Sequence, residues 1–310
     1  MSLLKEIPQS DSFLLMKEIT KGMSGERKYY IETKDNQKYL LRIADVADYE
    51  MKKREFNFLA QLNKESLPVP TAIDCGICEE GKSVYTLLGW VEGEDAETVV
   101  SHLSTQEQYK VGYEAGKILR RIHEISPANS TEEDWYDRYL KVVAPRIEAY
   151  RGEGIPFDGA EEILQFLENN KELLRNRPQC NHHGDYHMGN LVVNQNLEIS
   201  VIDWHTVDFD GKGDPWYEFN RIQVKNVAFT VGQINGYFED HVPEEFWRLL
   251  ALYLSISAIT SIVWAKYFAP EELDEIISLN RNIVKWFNGM ESCIPTWYQE
   301  YKNKVNNEDN

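Results

Sequence analysis

Apolar and polar residues alternate in three short runs near the start of the chain, Phe13 to Ile19, Lys28 to Glu32 and Lys38 to Ile43, which predicts three strands. Lys21 to Arg27 and Lys34-Asp35-Asn36 supply turn chemistry between them. From Tyr49 to Asn63 the period lengthens: Met51, Phe56, Leu59 and Leu62 fall near helical spacing, and Leu67-Pro68-Val69-Pro70 ends the helix. Two more strands are predicted at Thr71 to Ile77 and Ser83 to Leu88, turning at Glu80-Gly81-Lys82. Beyond residue 94 the pattern is helical. Ser104 with Glu107, Ser130 with Glu133, and Asp158 with Glu161 have capping-box spacing. Further helical periods span Trp216 to Phe229, Pro243 to Phe268 and Pro270 to Asn288, with Pro243 and Pro270 at first-turn positions. Only Lys302 to Asn310 reads as a disordered tail. The expectation is an α+β chain: an antiparallel sheet plus helix over 1–88, a linker at 89–94, and a mostly helical lobe over 95–310.

Composition agrees with two lobes. A chain of 310 residues with 42% hydrophobic and 12% aromatic content can pack both. Four cysteines are too few for a disulfide framework. Cys75 and Cys78 have CxxC spacing but fall in a predicted strand without a second pair, so they read as structural. No basic start leads into an apolar stretch, and the expected location is the cytoplasm. Leu249 to Ala265 is apolar but carries Ser255, Ser257, Thr260 and Ser261, which favours a buried helix over a membrane span. Net charge is −18, and it is uneven: −1 over residues 1–90 and −17 over 91–310. Such a C-terminal lobe repels nucleic acid and anionic membrane and attracts a cationic small molecule, although acidity for solubility alone explains it nearly as well.

The densest chemistry lies in His182 to Asp203, HHGDYHMGNLVVNQNLEISVID. Leu191 to Val193 and Ile199 to Ile202 predict a short hairpin turning at Asn194-Gln195-Asn196, with Asp185 before it, Asn190 at its entrance and Asp203 at its exit. One carboxylate that orients a hydroxyl and takes its proton, plus an amide oxygen and a second carboxylate to hold Mg²⁺, is the set that phosphoryl transfer needs. Asp185 and Asn190 have the Asp-x₄-Asn spacing of a kinase catalytic loop.

The string His183-Gly184-Asp185-Tyr186-His187-Met188-Gly189-Asn190, then Ile202-Asp203-Trp204, then Gly213-Asp214-Pro215, resembles the aminoglycoside phosphotransferase family, relatives of the protein kinases that act on small molecules. The resemblance implies a two-lobed, protein-kinase-like fold with ATP or GTP as phosphate donor. It implies Asp185 as catalytic base and Asn190 and Asp203 as Mg²⁺ ligands. Trp204 in place of the Phe of a protein kinase favours the small-molecule branch. Gly22, Ser24 and Gly25 would bring backbone N–H groups to the phosphates. Arg42 stands where the family usually has Lys, with Lys38 in reserve, and Glu55 is its expected partner, with Glu50 second. Backbone groups of Gly89 and Val91 would meet the base, while Trp90 packs the lobe junction. His183 and His187 would orient the loop through hydrogen bonds, and His205 has no assigned role. Asp214 and Glu218 would stabilise the loop after the metal site.

The expected activity is transfer of the γ-phosphate to a hydroxyl of a small, cationic molecule, an aminoglycoside first among acceptors. Choline or ethanolamine, macrolides, methylthioribose and homoserine remain open, as do a catalytically silent nucleotide-binding module and a metallohydrolase that would use the His and Asp residues between His182 and Asp210.

Overall fold

The computed structural model describes residues 6–20, 25–126, 133–153, 155–204, 208–222 and 224–308. The chain forms two compact units: Met1–Val99 with Met188–Val207, and Val100–His187 with Asp208–Asn310. The hairpin Leu191–Val193 and Ile199–Val201 therefore packs with the N-terminal residues, and the division differs there from the contiguous one expected at 88 and 94.

In the first unit, β1 (Phe13–Ile19), β2 (Arg27–Thr33), β3 (Lys38–Asp45), α1 (Tyr49–Lys64), β4 (Ala72–Cys78) and β5 (Ser83–Gly89) follow the predicted order. The strands form one antiparallel sheet, β1-β2-β3-β5-β4. Alternation along β3 divides its side chains between two faces. Leu41 and Ile43 join Ile7, Ile31, Tyr85 and Leu87 in a buried cluster, while Leu40 and Arg42 face a cavity on the other side. α1 covers Ala44, Cys75 and Val84 with Tyr49 and Phe56. Cys75 and Cys78 are buried free thiols, and burial pushes Cys78 up to about 11, which suits packing and not redox work.

A second, small sheet joins Glu94–Asp95 to the hairpin Leu191–Val193 and Ile199–Val201. Asn194 makes the turn, its Oδ1 accepting the N–H groups of Asn196 and Glu198 at 2.9 and 3.0 Å. Gly93 sits at φ +142°, and a Cβ there would lie 2.6 Å from the Val193 carbonyl oxygen, so only glycine fits this close pass.

The second unit is helical. Thr105–Glu124 begins with the predicted capping box, Ser104 and Glu107 bonding reciprocally. It packs on Val227–Phe238 through glycines on both helices: a Cβ on Gly112 or Gly116 would lie 2.0 Å from the carbonyl oxygen of Phe229 or Gln233. Gly232 and Gly236 meet the Tyr109 and Tyr113 carbonyls in the same way. Glu244–Phe268 is long and apolar enough by composition to cross a membrane, but 72% of its most apolar stretch is buried within the protein, as a core helix requires. Trp135–Glu153, Ala160–Asn170 and Leu273–Trp286 are further helices of this unit.

Several expected boundaries shift. Asp158 does not cap its helix, because Gly159 is the N-cap of Ala160–Asn170. Pro243 caps its helix without entering the first turn. The period from Trp216 to Phe229 resolves into a 3₁₀ segment, Pro215–Arg221, and the start of a separate helix. The polar tail is helical from Thr296 to Glu308, and Ser130 lies outside the described residues.

Candidate functional site

A cavity of about 350 Å³ in the first unit is walled by apolar side chains such as Leu40, Leu88 and Ile202. Arg42, Glu55, Gly89, Val91, Asn190 and Asp203 all line it, so six residues singled out from sequence come together. Gly22 and Ser24 lie outside the described residues; Gly25 is described but is not part of the lining.

Arg42 is at the centre of a chain of alternating charges. Its Nε donates to Glu26 Oε2 at 2.5 Å and its Nη1 to Asp203 Oδ1 at 3.0 Å. Lys52 Nζ lies 2.6 Å from Glu26 Oε1 and 2.8 Å from Glu55 Oε2. Lys28, the cross-strand partner of Arg42, is 3.8 Å from Asp203. Burial pushes the Glu26 carboxyl up, but Arg42 and Lys52 together bring it down to about 2. Desolvation works against the Arg42 charge too, yet Glu26 and Asp203 raise its pKa above the usual arginine value. Glu55 thus hydrogen-bonds Lys52, while Glu26 supplies the carboxylate that grips the Arg42 Nε. Lys38 pairs with Glu92 at 2.6 Å and does not line the cavity, which leaves Arg42, Lys28 and Lys52 as its cations.

Asn190 and Asp203 are joined through the hairpin, because the Ile202 N–H donates to the Asn190 carbonyl at 2.9 Å. Asp203 adopts φ +58°, a left-handed conformation that Asp tolerates better than most residues and that recurs at functional sites. One amide and one carboxylate are all-oxygen donors, which fits a hard divalent cation that keeps most of its ligands from phosphate and water. Among the described residues no group of three or more His, Cys, Asp or Glu is placed to hold a metal. Trp204 stacks edge-on to Phe58, and Trp90 edge-on to Tyr30. The Gly89 N–H is engaged by the Thr71 carbonyl at 2.8 Å, so of its two backbone groups only the carbonyl can face a ligand. The Val91 N–H has no partner among the described residues.

Asp185 belongs to the second unit, on a loop that Glu218 holds by its backbone. The Glu218 carboxylate accepts the His183 N–H at 2.7 Å and the Gly184 N–H at 3.0 Å, and Gly184 turns at φ +93°. Burial pushes Glu218 up, but His123 at 3.8 Å together with His182 and His183 brings it down to about 2. The Asp185 N–H donates to His183 Nδ1 at 3.2 Å, and His187 Nε2 lies 3.3 Å from Asp185 Oδ2, so both histidines orient the loop as expected. Arg221 Nε is 3.5 Å from Asp185 Oδ1. Burial raises the Asp185 carboxyl, yet His187 and Arg221 bring it down to about 2. Asp214, fully buried, accepts from Arg177, the Tyr253 hydroxyl and the Trp216 N–H, capping Pro215–Arg221. His205 lies outside the described residues.

Sequence reasoning missed Glu26, Lys28 and Lys52. Lys52 has no role in the sequence reading, where Glu55 is expected to pair with Arg42; in the structure Glu55 bonds Lys52. The available signal was register: a lysine opposite Arg42 on the neighbouring strand shares its face.

Residues 16–248 match the model of the phosphotransferase enzyme family, and the chain belongs to that family: it is a phosphotransferase. Its fold is also that of solved small-molecule kinases. It superposes on the ADP-bound aminoglycoside phosphotransferase APH(2'')-Ib with a TM-score of 0.62 at 18% identity, covering 90% of this chain and 95% of that one. The GDP and kanamycin complex of APH(2")-IIia gives 0.65 at 14%, covering 90% and 96%. A putative fructosamine-3-kinase from Haemophilus somnus gives 0.57 at 14%, covering 88% and 90%. A comparison with curated protein sequences gave no match.

Proposed function

We propose that this phosphotransferase moves the γ-phosphate of ATP or GTP to a hydroxyl of a small molecule by direct in-line transfer. The observation that carries the reading is the single cavity lined by Arg42, Asn190 and Asp203 together with Gly89 and Val91. The Gly89 carbonyl and the Val91 N–H offer the acceptor and donor that a purine base needs. Arg42 and Lys28 meet the phosphates, with Glu26, Lys52 and Glu55 fixing the guanidinium. The phosphate-covering role expected of Gly22, Ser24 and Gly25 is kept as part of this proposal from the sequence resemblance alone. Asn190 and Asp203 would hold Mg²⁺, which when bound would neutralise charge on the phosphates.

Asp185 orients the acceptor hydroxyl. The new bond forms between that oxygen and the γ-phosphorus, the bond to the β-phosphate bridging oxygen breaks, and the hydroxyl proton passes to the Asp185 carboxylate. A carboxyl near 2 is ionised at neutral pH but is a weak base, so it acts mainly by positioning and takes the proton late, as a loose transition state allows.

The expectation of a cationic acceptor, an aminoglycoside first, rests on the acidic second lobe and on one fold neighbour solved with GDP and kanamycin, and the carboxylate-free lining of the second unit's larger cavity argues against it. The chain is proposed to work in the cytoplasm, without nucleic acid or membrane. Mg²⁺-dependent consumption of ATP or GTP is the test, run over cationic antibiotics, macrolides, amino alcohols, amino acids and sugars with Asp185→Asn as blank. No consumption with any acceptor would contradict the reading.

A further inference from the structure

The second unit contains a larger cavity, about 770 Å³, between the helices Trp135–Glu153, Glu244–Phe268 and Leu273–Trp286 and the 3₁₀ segment Pro215–Arg221. Its chemistry differs from that expected of a polycation site. Its lining is dominated by aliphatic and aromatic side chains, and none of the lining residues is a carboxylate. The charged groups it does present are two arginines, Arg146 and Arg221. In a chain of net charge −18 that selection is informative, because a site for a polycation would place its carboxylates here. Arg146 pairs with no carboxylate among the described residues. Glu153, near the rim, is held by Lys266 and by the Tyr267 hydroxyl.

The mouth of the cavity is apolar as well. Trp264, Tyr267, Phe268 and Leu279 all line it and are 43%, 61%, 72% and 51% exposed, a grouping that the surface of a protein seldom leaves uncovered. Trp264 and Phe268 stack at 6.3 Å. The polar side chains of Asn220 and Ser257 line the cavity and bond to nothing among the described residues. Arg221 connects the cavity to the chemistry, since its Nε lies 3.5 Å from the carboxylate of Asp185.

We propose that this cavity binds the acceptor, and that the acceptor is an alcohol with a bulky apolar or aromatic body whose polar end is neutral or anionic, not a polycation. The proposal rests on the role given to Asp185 above. The apolar body lies against Trp264, Phe268 and Leu279, Asn220 and Ser257 meet its polar groups, and Arg221 draws the hydroxyl-bearing end toward Asp185. A concave site joined to Asp185 through Arg221 favours a small molecule over a second copy of the chain on the same apolar rim.

The test uses three probes with one body and three charges: 2-naphthyl glucoside, 2-naphthyl glucuronide and 2-naphthyl glucosaminide, with kanamycin as the polar polycation. Binding to the purified full chain is followed by calorimetry and by tryptophan fluorescence, with ATP binding measured in parallel. The glucoside and glucuronide should bind at least about tenfold more tightly than the glucosaminide, and kanamycin more weakly still. Arg146→Glu should lower affinity for the glucuronide and raise it for the glucosaminide, and Trp264→Ala should weaken all three, with circular dichroism and ATP affinity unchanged in both variants. Tighter binding of kanamycin than of any naphthyl compound overturns the proposal. So does a dimer, seen by light scattering and broken by Trp264→Glu, that excludes every probe. Loss of ATP binding or of Mg²⁺-dependent transfer with the probe order intact would instead remove the phosphotransfer reading and leave the acceptor class standing.

Discussion

The guanidinium of Arg42 lies 3.0 Å from the carboxylate of Asp203, so the strand cation and the proposed metal ligand are joined in one chain of charges, buried at Glu26 and Arg42 and partly exposed at Asp203. That coupling makes substitutions at Arg42 act on both binding and stability. Arg42→Lys keeps the charge but loses the fork that spans Glu26 and Asp203, and should weaken nucleotide binding roughly tenfold to a hundredfold with little loss of fold. Arg42→Ala removes one cation from buried Glu26, which keeps Lys52, and from half-exposed Asp203, which keeps Lys28, and should cost about 1–3 kcal/mol. Nucleotide titration and urea unfolding separate the two; equal binding by the Lys variant would shift the phosphate role to Lys28 and Lys52.

Metal dependence should follow the hairpin. Asn190→Ala and Asp203→Asn should each raise the Mg²⁺ concentration for half-maximal activity by at least about tenfold. Activity against free Mg²⁺ at saturating nucleotide measures this. An unchanged Mg²⁺ requirement in both variants would place the metal elsewhere.

Glu218 makes stability depend on acid. Its folded pKa is about 2 against an ordinary 4.5, so its contribution is fully present above about pH 4.5 and is lost as pH falls toward 2. The magnitude is on the order of 3 kcal/mol. Glu218→Gln should be less stable than wild type at pH 7, because it offers one acceptor to two N–H groups, yet should lose less stability between pH 4.5 and 3. Urea unfolding at several pH values would show parallel losses if Glu218 were not the titrating group.

The glycine contact between Thr105–Glu124 and Val227–Phe238 should tolerate no side chain. Gly116→Ala puts a Cβ 2.0 Å from the Gln233 carbonyl oxygen, which is backbone and cannot rotate away. The expected loss is about 1–3 kcal/mol or more, since overpacking falls here on backbone. Thermal unfolding checks it, with exposed Gly152→Ala as the control, where a Cβ meets nothing within 4 Å.

Much of this architecture was legible because strand alternation and helical spacing are local. The five strands and α1 fall within a residue or two of their predicted ends, and Asn190 and Asp203 converge because a three-residue strand pair with an Asn turn has few alternatives. Pairings set by tertiary packing were not legible. Glu26 reads as a turn residue until β2 and β3 place it against Arg42, and Lys52 has no sequence signal until its helix is docked. The glycines at four-residue spacing were overlooked because apolar periodicity does not register a face made of backbone. The larger cavity draws on elements from Trp135 to Trp286, and no short motif can announce such a wall.

The central claim is that Asp185 positions the acceptor hydroxyl for transfer. Asp185→Asn keeps the volume and one oxygen but removes the charge that His187 and Arg221 hold. Turnover of the best acceptor from the screen, measured by nucleotide consumption and by mass of the phosphorylated product, should fall by roughly 10²–10⁴-fold while the nucleotide Kd stays within a factor of about two. Phosphorylation by Asp185→Asn at the wild-type rate would contradict the account.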